Sequence, residues 1–280
     1  MSNNLFDSTT DFLGAFDGIS AQDAEVWARA RSFREDCLPV INGHWEKSEY
    51  PLELVRRLGE LDLMTDGLDV PGHESMTSLG AGLALMEVTR ADASMGTVVA
   101  VQAGLAMRSI AMLGSEEQRS RYLPAMASCS LLGAFGLTEP LHGSDSIALE
   151  TTAVRDGDSW VLNGEKKWIG NGASGGVTVI YARMEDGNVG GFIVPQDAPG
   201  YSATVITGKL SLRAIHQAHI VLRDCRIPAS NRLPGCQTFK DVSRVLTATR
   251  IGVSWMALGS AVACYETARN YVMERVQFGR

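Results

Sequence analysis

The chain has 280 residues, 45% of them hydrophobic and 20% charged, a composition that excludes disordered and collagen-like classes. The formal net charge is −7 with no basic stripe, which excludes a nucleic-acid-binding surface. Cys37, Cys129, Cys225, Cys236 and Cys264 are scattered and lack CxxC spacing. They argue against a disulfide framework or zinc site and read as small buried hydrophobes in a reducing cytosol, so a cytoplasmic location is expected.

Met1–Phe12 is polar and acidic, unlike a secretory signal, and without arginine, unlike a transit peptide. Ser20 is placed to cap a helix whose apolar positions Trp27, Ala30, Phe33 and Cys37 recur at helical spacing. Pro51 marks a second helix start, before Leu54, Val55, Leu58 and Leu61. Thr77–Arg90 and Ser94–Leu113, rich in Ala, Leu, Met and Gly, read as core helices buried on most sides. Ser115 and Gln118 form a capping-box signature for a further helix.

The character changes near Leu131. To about Pro234 the chain is punctuated by the turn pairs Asp156-Gly157, Asn163-Gly164, Asp186-Gly187 and Gly190-Gly191. Between them lie the β-prone runs Trp160–Leu162, Val177–Ala182, Phe192–Val194 and Ile220–Leu222, and Asn163-Gly164 is the strongest hairpin signal. A helical pattern returns near Phe239, with Val242, Val245, Leu246, Ile251 and Val253 on one broad face. Tyr265, Ala268, Tyr271 and Val272 continue that face. The most apolar stretch, Ile251–Cys264, is too short to span a bilayer and reads as a buried helix, so no membrane partner is expected. Helices, then a β region, then a helix predict an α+β protein or separate domains, not an alternating α/β sheet. No GxGxxG follows a strand, so a Rossmann site is not supported.

Two segments carry chemistry. Leu132–Asp145 (LGAFGLTEPLHGSD) reads as a strand ending in a polar glycine-containing turn that exposes backbone N–H groups and the Thr138 and Ser144 hydroxyls. A site for carbonyl and phosphate oxygens and a plain strand-to-loop turn stand as equal readings. Asn163–Gly172 (NGEKKWIGNG) leads a turn into Trp168, whose ring is either core or a flat wall against a planar ligand; the residues alone favour core.

In order and separation these segments closely resemble the flavin-binding signatures of the acyl-CoA dehydrogenase family. Lys209–Ala214 (KLSLRA), Ala248–Gly252 (ATRIG) and Glu274–Gly279 (ERVQFG) fit as well. The resemblance runs from about Trp27 to the end of the chain and is nearest the glutaryl-CoA dehydrogenase branch. It implies an N-terminal all-α domain (1–130), a middle β-barrel domain (131–236) and the first part of a C-terminal helical bundle (237–280) that is otherwise missing.

It also implies an FAD-dependent oxidoreductase. A base removes the α-proton of an acyl-CoA thioester while the β-hydrogen leaves as hydride to flavin N5. By the resemblance, Phe135, Gly136, Leu137 and Thr138 lie along the flavin ring, and Ser144 serves a flavin phosphate near the pantetheine arm. Trp168, Ile169 and Gly170 flank the isoalloxazine. Ser243 and Arg250 belong to the helix along the CoA site. Arg275 and Phe278 reach the flavin of a neighbouring subunit, which implies a homo-oligomer, a dimer or tetramer. An electron-transfer flavoprotein is the implied acceptor, in fatty acid or amino acid catabolism. No metal is expected.

The chain also departs from the family pattern. Relatives usually carry Thr or Ser where Gly170 stands, so a flavin hydrogen bond worth on the order of 1 kcal/mol is missing. The arginine that glutaryl-CoA dehydrogenase uses for the distal carboxylate aligns with Gly96, which puts a glutaryl substrate in doubt. The usual glutamate base falls beyond Arg280. The position a minority of the family uses instead is Thr249, which is no base near neutral pH. Glu87, Glu139 and Glu150 read as structural or solvent-facing. No catalytic residue is therefore assigned, and an exposed apolar face is expected on the last helix. The alternative reading is a non-catalytic flavin- or CoA-binding or assembly subunit that needs a partner for the missing helices. A sibling chemistry on the same scaffold, such as an acyl-CoA or nitroalkane oxidase, is a third.

Overall fold

The computed structural model describes residues 3–279. Seven helical segments come first: α1 (Ala21–Cys37), α2 (Ile41–Lys47), α3 (Leu52–Glu60), α4 (Ser78–Ala91), α5 (Ala93–Val99), α6 (Arg108–Leu113) and α7 (Glu116–Ala127). The caps fall where the side chains permit. The Ser20 side chain accepts from Asp23 N–H, Pro51 is the residue before α3, and Ser115 with Gln118 closes a capping box on α7. Trp27, Ala30, Phe33 and Cys37 are fully buried, as their spacing predicts.

α5 and α6 are one continuous rod, joined by the π-helical stretch Ala100–Met107. Gln102, buried within that stretch, donates from Nε2 to the Met126 and Leu131 carbonyls at 2.9 Å and accepts from Gly133 N–H at 2.6 Å. It thereby fixes where the first strand leaves the helices. The rod and the last helix are each long and apolar enough to cross a membrane by length and composition alone, but the rod runs through the core.

The β region holds β1 (Gly133–Gly136), β2 (Thr152–Asp156), β3 (Ser159–Gly170), β4 (Val177–Met184), β5 (Val189–Pro195), β6 (Tyr201–Val205) and β7 (Gln217–Pro228). The sheet runs β1-β4-β2-β3-β7-β6, with β5 also paired to β4. It curls barrel-like around one core, in which Ile180, Phe192, Ile169, Ala218 and Leu222 meet, although no ladder joins β5 to β6 among the described residues. β4 is apolar at successive positions because both its faces are covered. Ile180 and Ala182 point into the curl, while Val177, Val179 and Tyr181 pack on Ala103, Ala106, Met107 and Ile110 of the rod. Helical and β regions thus share one core.

Several sequence expectations are corrected by the fold. Asn163-Gly164 is not a hairpin turn but lies inside β3, where the register against β7 shifts between Leu162 and Gly164. Gly164 has φ +147°, and a Cβ there would press Thr151 at 2.5 Å, so the glycine serves a bulge. Gly190-Gly191 likewise lies within β5, whereas Asp156-Gly157 and Asp186-Gly187 are turns. Cys264 is exposed, unlike the other four cysteines.

The last helix, α8 (Phe239–Glu274), packs on α4 and sends Val242 and Val245 into the shared core. Close approach is made by glycines: Gly82 lies under the Trp255 ring and Gly259 against the Met86 carbonyl. Ile251–Cys264 is nevertheless not a buried helix, because only Gly259 within it is fully covered. Ile251, Val253, Tyr265, Tyr271, Val272 and Met273 are exposed along it, the apolar face expected of this helix.

Candidate functional site

β1 ends beside β3 and the two are pinned together. Lys167 N–H donates to the Thr138 carbonyl at 2.9 Å. Beneath, Lys166 and Glu139 form a buried ion pair at 2.8 Å, with side chains 0% and 4% exposed. Lys166 Nζ also donates to the Leu137 carbonyl at 3.1 Å, and the Glu139 carboxylate accepts from Glu150 N–H, Thr151 N–H and the Thr151 hydroxyl. Burial alone would raise the Glu139 carboxyl, but Lys166 and these donors hold it below the usual range. Burial pushes the Lys166 ammonium down to about 8 against the pull of Glu139. Glu139 is therefore structural, as are Glu87, which is buried on Trp27 and Arg90, and the solvent-facing Glu150.

Trp168 stands on this frame. Its side chain is 51% exposed and its backbone has φ +65°, at a second register shift of β3 between Lys166 and Ile169. An L-residue with a large ring reaches that conformation only when its surroundings impose it. Those surroundings are present. Asn171, fully buried, donates to the Gly133 carbonyl at 3.2 Å and accepts from the Tyr50 hydroxyl at 2.8 Å, and its N–H reaches the His216 carbonyl at 3.0 Å. Lys209 donates to the Leu212 and Ile215 carbonyls at 2.6 Å, and Arg213 reaches the Trp45 and Glu46 carbonyls, so the KLSLRA loop is tied to α2. The core reading of Trp168 is corrected: the ring is a presented surface, with Lys167 Nζ 5.8 Å from its centroid.

Thr138, whose carbonyl accepts from Lys167 N–H, is half-buried and Ser144 is exposed, and neither hydroxyl has a partner among the described residues. Phe135 is half-buried, its ring 5.1 Å from that of Tyr181. Gly136 and Leu137 are buried. The Ile169 side chain lies in the sheet core, so only its backbone is available to a ligand. At Gly170 a Cβ would stand 3.0 Å from Val101 Cγ2, so a branch of the rod fills the space above the glycine.

A cavity of about 230 Å³ lies between α4, the rod and α8. Its walls are apolar at Ala81, Leu85, Leu105, Ile251, Val253 and Trp255. Thr249 lines it, and its hydroxyl donates back to the Leu246 carbonyl at 3.0 Å. Asp66 is the one carboxylate in the wall among the described residues, and Arg108 Nη2 holds it at 2.6 Å. Burial raises the Asp66 carboxyl against the pull of Arg108. No local motif announces Asp66, Arg108, Tyr50 or the anchoring role of Asn171, because each acts through a contact distant in sequence. Ser243 and Arg250 lie on α8 outside the cavity lining, and Arg275 and Phe278 sit exposed past its end. No group of side chains suited to a metal ion occurs among the described residues.

Comparison with known proteins agrees with this fold. Residues 20–130 match the N-terminal domain of acyl-CoA dehydrogenases and residues 134–225 their middle domain. The short-chain specific acyl-CoA dehydrogenase of Rattus norvegicus mitochondria is 36% identical over 259 residues, covering 89% of this chain and 62% of its own length. The chain thus spans under two thirds of that curated relative. A glutaryl-CoA dehydrogenase from Mycobacterium smegmatis superposes with TM-score 0.92 at 41% identity, over 96% of this chain and 70% of that one. A second M. smegmatis structure, a glutaryl-CoA dehydrogenase in complex with FADH2, gives TM-score 0.90 at 36% identity over 94% and 68%. With both domains matched in order and a 41% identical structure covered over 70% of its length, the chain belongs to the acyl-CoA dehydrogenase family.

Proposed function

We propose that this chain binds FAD and an acyl-CoA thioester for α,β-dehydrogenation of the acyl group. The observation that carries the reading is Trp168, a half-exposed ring held at φ +65° on the strand bonded to the Thr138 carbonyl, with the Thr138 and Ser144 hydroxyls of the preceding loop unpaired among the described residues. A strained, presented aromatic with free donors on the loop bonded to its strand fits a flat ring with a polar edge, and the residues present suit a flavin. Trp168 would cover the ring, Thr138 and the β1 backbone its polar edge, and Ser144 a phosphate oxygen. When bound, FAD would supply the electron sink that takes the β-hydrogen as hydride, and no residue of this chain is assigned as the base for the α-proton.

The remaining roles are this chain's own. The apolar cavity behind Thr249 seats the acyl chain and excludes water from it. Ser243 and Arg250 lie along the CoA arm. Thr249 takes no proton, since a hydroxyl is far too weak a base near neutral pH. Arg275 and Phe278, exposed past α8, serve the flavin site of a second subunit in a homo-oligomer. The reading includes a cytoplasmic location and an electron-transfer flavoprotein as acceptor.

The test is titration of the purified protein with FAD, followed by tryptophan and flavin fluorescence, and then anaerobic addition of butyryl-CoA. Saturable FAD binding that weakens about tenfold in Trp168→Ala, with an absorbance change on butyryl-CoA, supports the reading. FAD binding indifferent to Trp168 would overturn the placement, and no FAD binding at all would overturn the function.

A further inference from the structure

A second cavity, of about 390 Å³, lies apart from the acyl slot, between the first turns of α7, the β2–β3 hairpin and the turn Ala229–Asn231. Arg121, Arg155 and Arg232 line it. These cations are scarcely compensated. Arg121 lies over the Tyr122 ring at 5.2 Å and has no carboxylate partner among the described residues. Arg155 comes only to 3.9 Å from Asp158, which is wholly exposed. Arg232 donates from Nη2 to the neutral Gln237 Oε1 at 3.0 Å. Glu117 is the one carboxylate in the lining, and it forms no ion pair among the described residues. Asp186, on the β4–β5 turn, is engaged first by Asn188 and more weakly by the charge of Arg232, with no direct ion pair between them among the described residues.

Trp160 stands at the centre of the wall. It is 8% exposed, with its ring 5.2 Å from Phe192 of the sheet core, and Arg155 and Arg232 approach it at 5.6 and 5.8 Å. Trp160 Nε1 and Arg232 Nε are both buried without an acceptor. Buried donors of this kind are ordinarily satisfied, so two side by side in one wall mark where an acceptor belongs. The wall is also rigid: Gln118 Nε2 donates to the Ser230 and Arg232 carbonyls at 2.7 and 3.0 Å, locking the turn to α7.

We propose that this cavity binds a phosphoryl group carried by a small soluble molecule. Guanidinium forks match phosphate oxygens in pairs, and Arg holds its charge at any physiological pH. Three forks and the Trp160 N–H exceed what one carboxylate accepts, whereas a phosphoryl group offers three strongly accepting oxygens. The volume leaves room for the molecule that bears it. Recognition at this cavity is independent of flavin and acyl-CoA, since no residue of its lining belongs to the Trp168 surface or the acyl cavity.

The test is calorimetric titration with inorganic phosphate against potassium chloride and acetate at matched ionic strength. Wild-type protein is compared with Arg155→Gln, Arg232→Gln, the surface variant Arg121→Gln, and Trp168→Ala. Saturable phosphate binding is expected, weakened at least tenfold in Arg155→Gln and Arg232→Gln and unchanged in Trp168→Ala. Arg121→Gln, far from the core, keeps the test decisive if Arg232→Gln does not fold, and is expected to weaken phosphate several-fold. Acetate binding as tightly as phosphate, phosphate binding unaltered by the arginine variants, or binding lost with Trp168 would each overturn the proposal.

Discussion

Trp168 combines three properties that rarely coincide: a large ring, half exposure and φ +65°. The left-handed region costs an L-residue about 1–2 kcal/mol, less for asparagine, whose short side chain tolerates it. Trp168→Asn is therefore expected to raise the unfolding free energy by about 0.5–1 kcal/mol in urea while FAD affinity falls. A destabilised variant would mean that the ring's partial burial outweighs the backbone strain. Gly170 offers a complementary case. The sequence marks it as a lost hydroxyl, and the structure adds that Val101 Cγ2 would stand 3.0 Å from a Cβ there. Gly170→Thr is expected to cost about 1–3 kcal/mol through overpacking, with much of that recovered in the double variant Val101→Ala/Gly170→Thr. Equal unfolding midpoints for the single and double variants would show that Val101 does not fill this space. Of the flanking residues, Thr138 and Ser144 were legible as site candidates from the first glycine-rich segment, whereas Trp168 read as core from the residues alone and as a flavin contact only through the family resemblance. The inward turn of the Ile169 side chain was not, because it depends on a bulge whose register is set by β7.

At the level of elements, the loop after β1 is held by one buried ion pair. Lys166→Met would leave Glu139 without its counter-charge, and losing one partner of such a pair costs about 3–5 kcal/mol. The Glu139 carboxyl sits below its ordinary value in the folded state, so its contribution is present above the usual carboxylate range and is lost as pH falls through the folded value. Unfolding in urea should show stability declining as pH drops below about 4, with a shallower decline in Glu139→Gln. An identical acid limb in that variant would assign acid sensitivity to other carboxylates. The helices were readable from caps and spacing, since Ser20 and Ser115 act on backbone groups three residues away. Strands were readable less evenly. β4 announces itself as an apolar run because both faces are covered, whereas Asn163-Gly164 mimics a turn while carrying a bulge. A dipeptide cannot tell those two uses apart, because the partner strand decides between them.

At the scale of the molecule, the order helices, curled sheet, helix was visible in composition alone, and the two domain matches follow it. What composition does not reveal is how the rod Ala93–Leu113 and β4 make a single core, a matter of contacts between residues some seventy apart in sequence. It also misassigned Ile251–Cys264 as buried, since an apolar run records that a surface is to be covered and not what covers it. α8 is anchored on one side by Val242, Val245 and the glycine contacts with α4, and at its far end by the Arg90–Glu266 ion pair at 2.5 Å. Its outer side presents Tyr271, Val272 and Met273 to solvent at 58, 66 and 78% exposure. Water in contact with such a face favours any association that covers it. The 280-residue chain is therefore expected to bind a hydrophobic dye and to sediment with a mass that rises with concentration. The double variant Val272→Lys/Met273→Glu should reduce both effects while leaving the cavity behind Thr249 intact, because neither residue lines it. If wild-type protein sediments as a monomer over a hundredfold range of concentration and binds no dye, the outer face of α8 is covered in solution by something other than a second molecule.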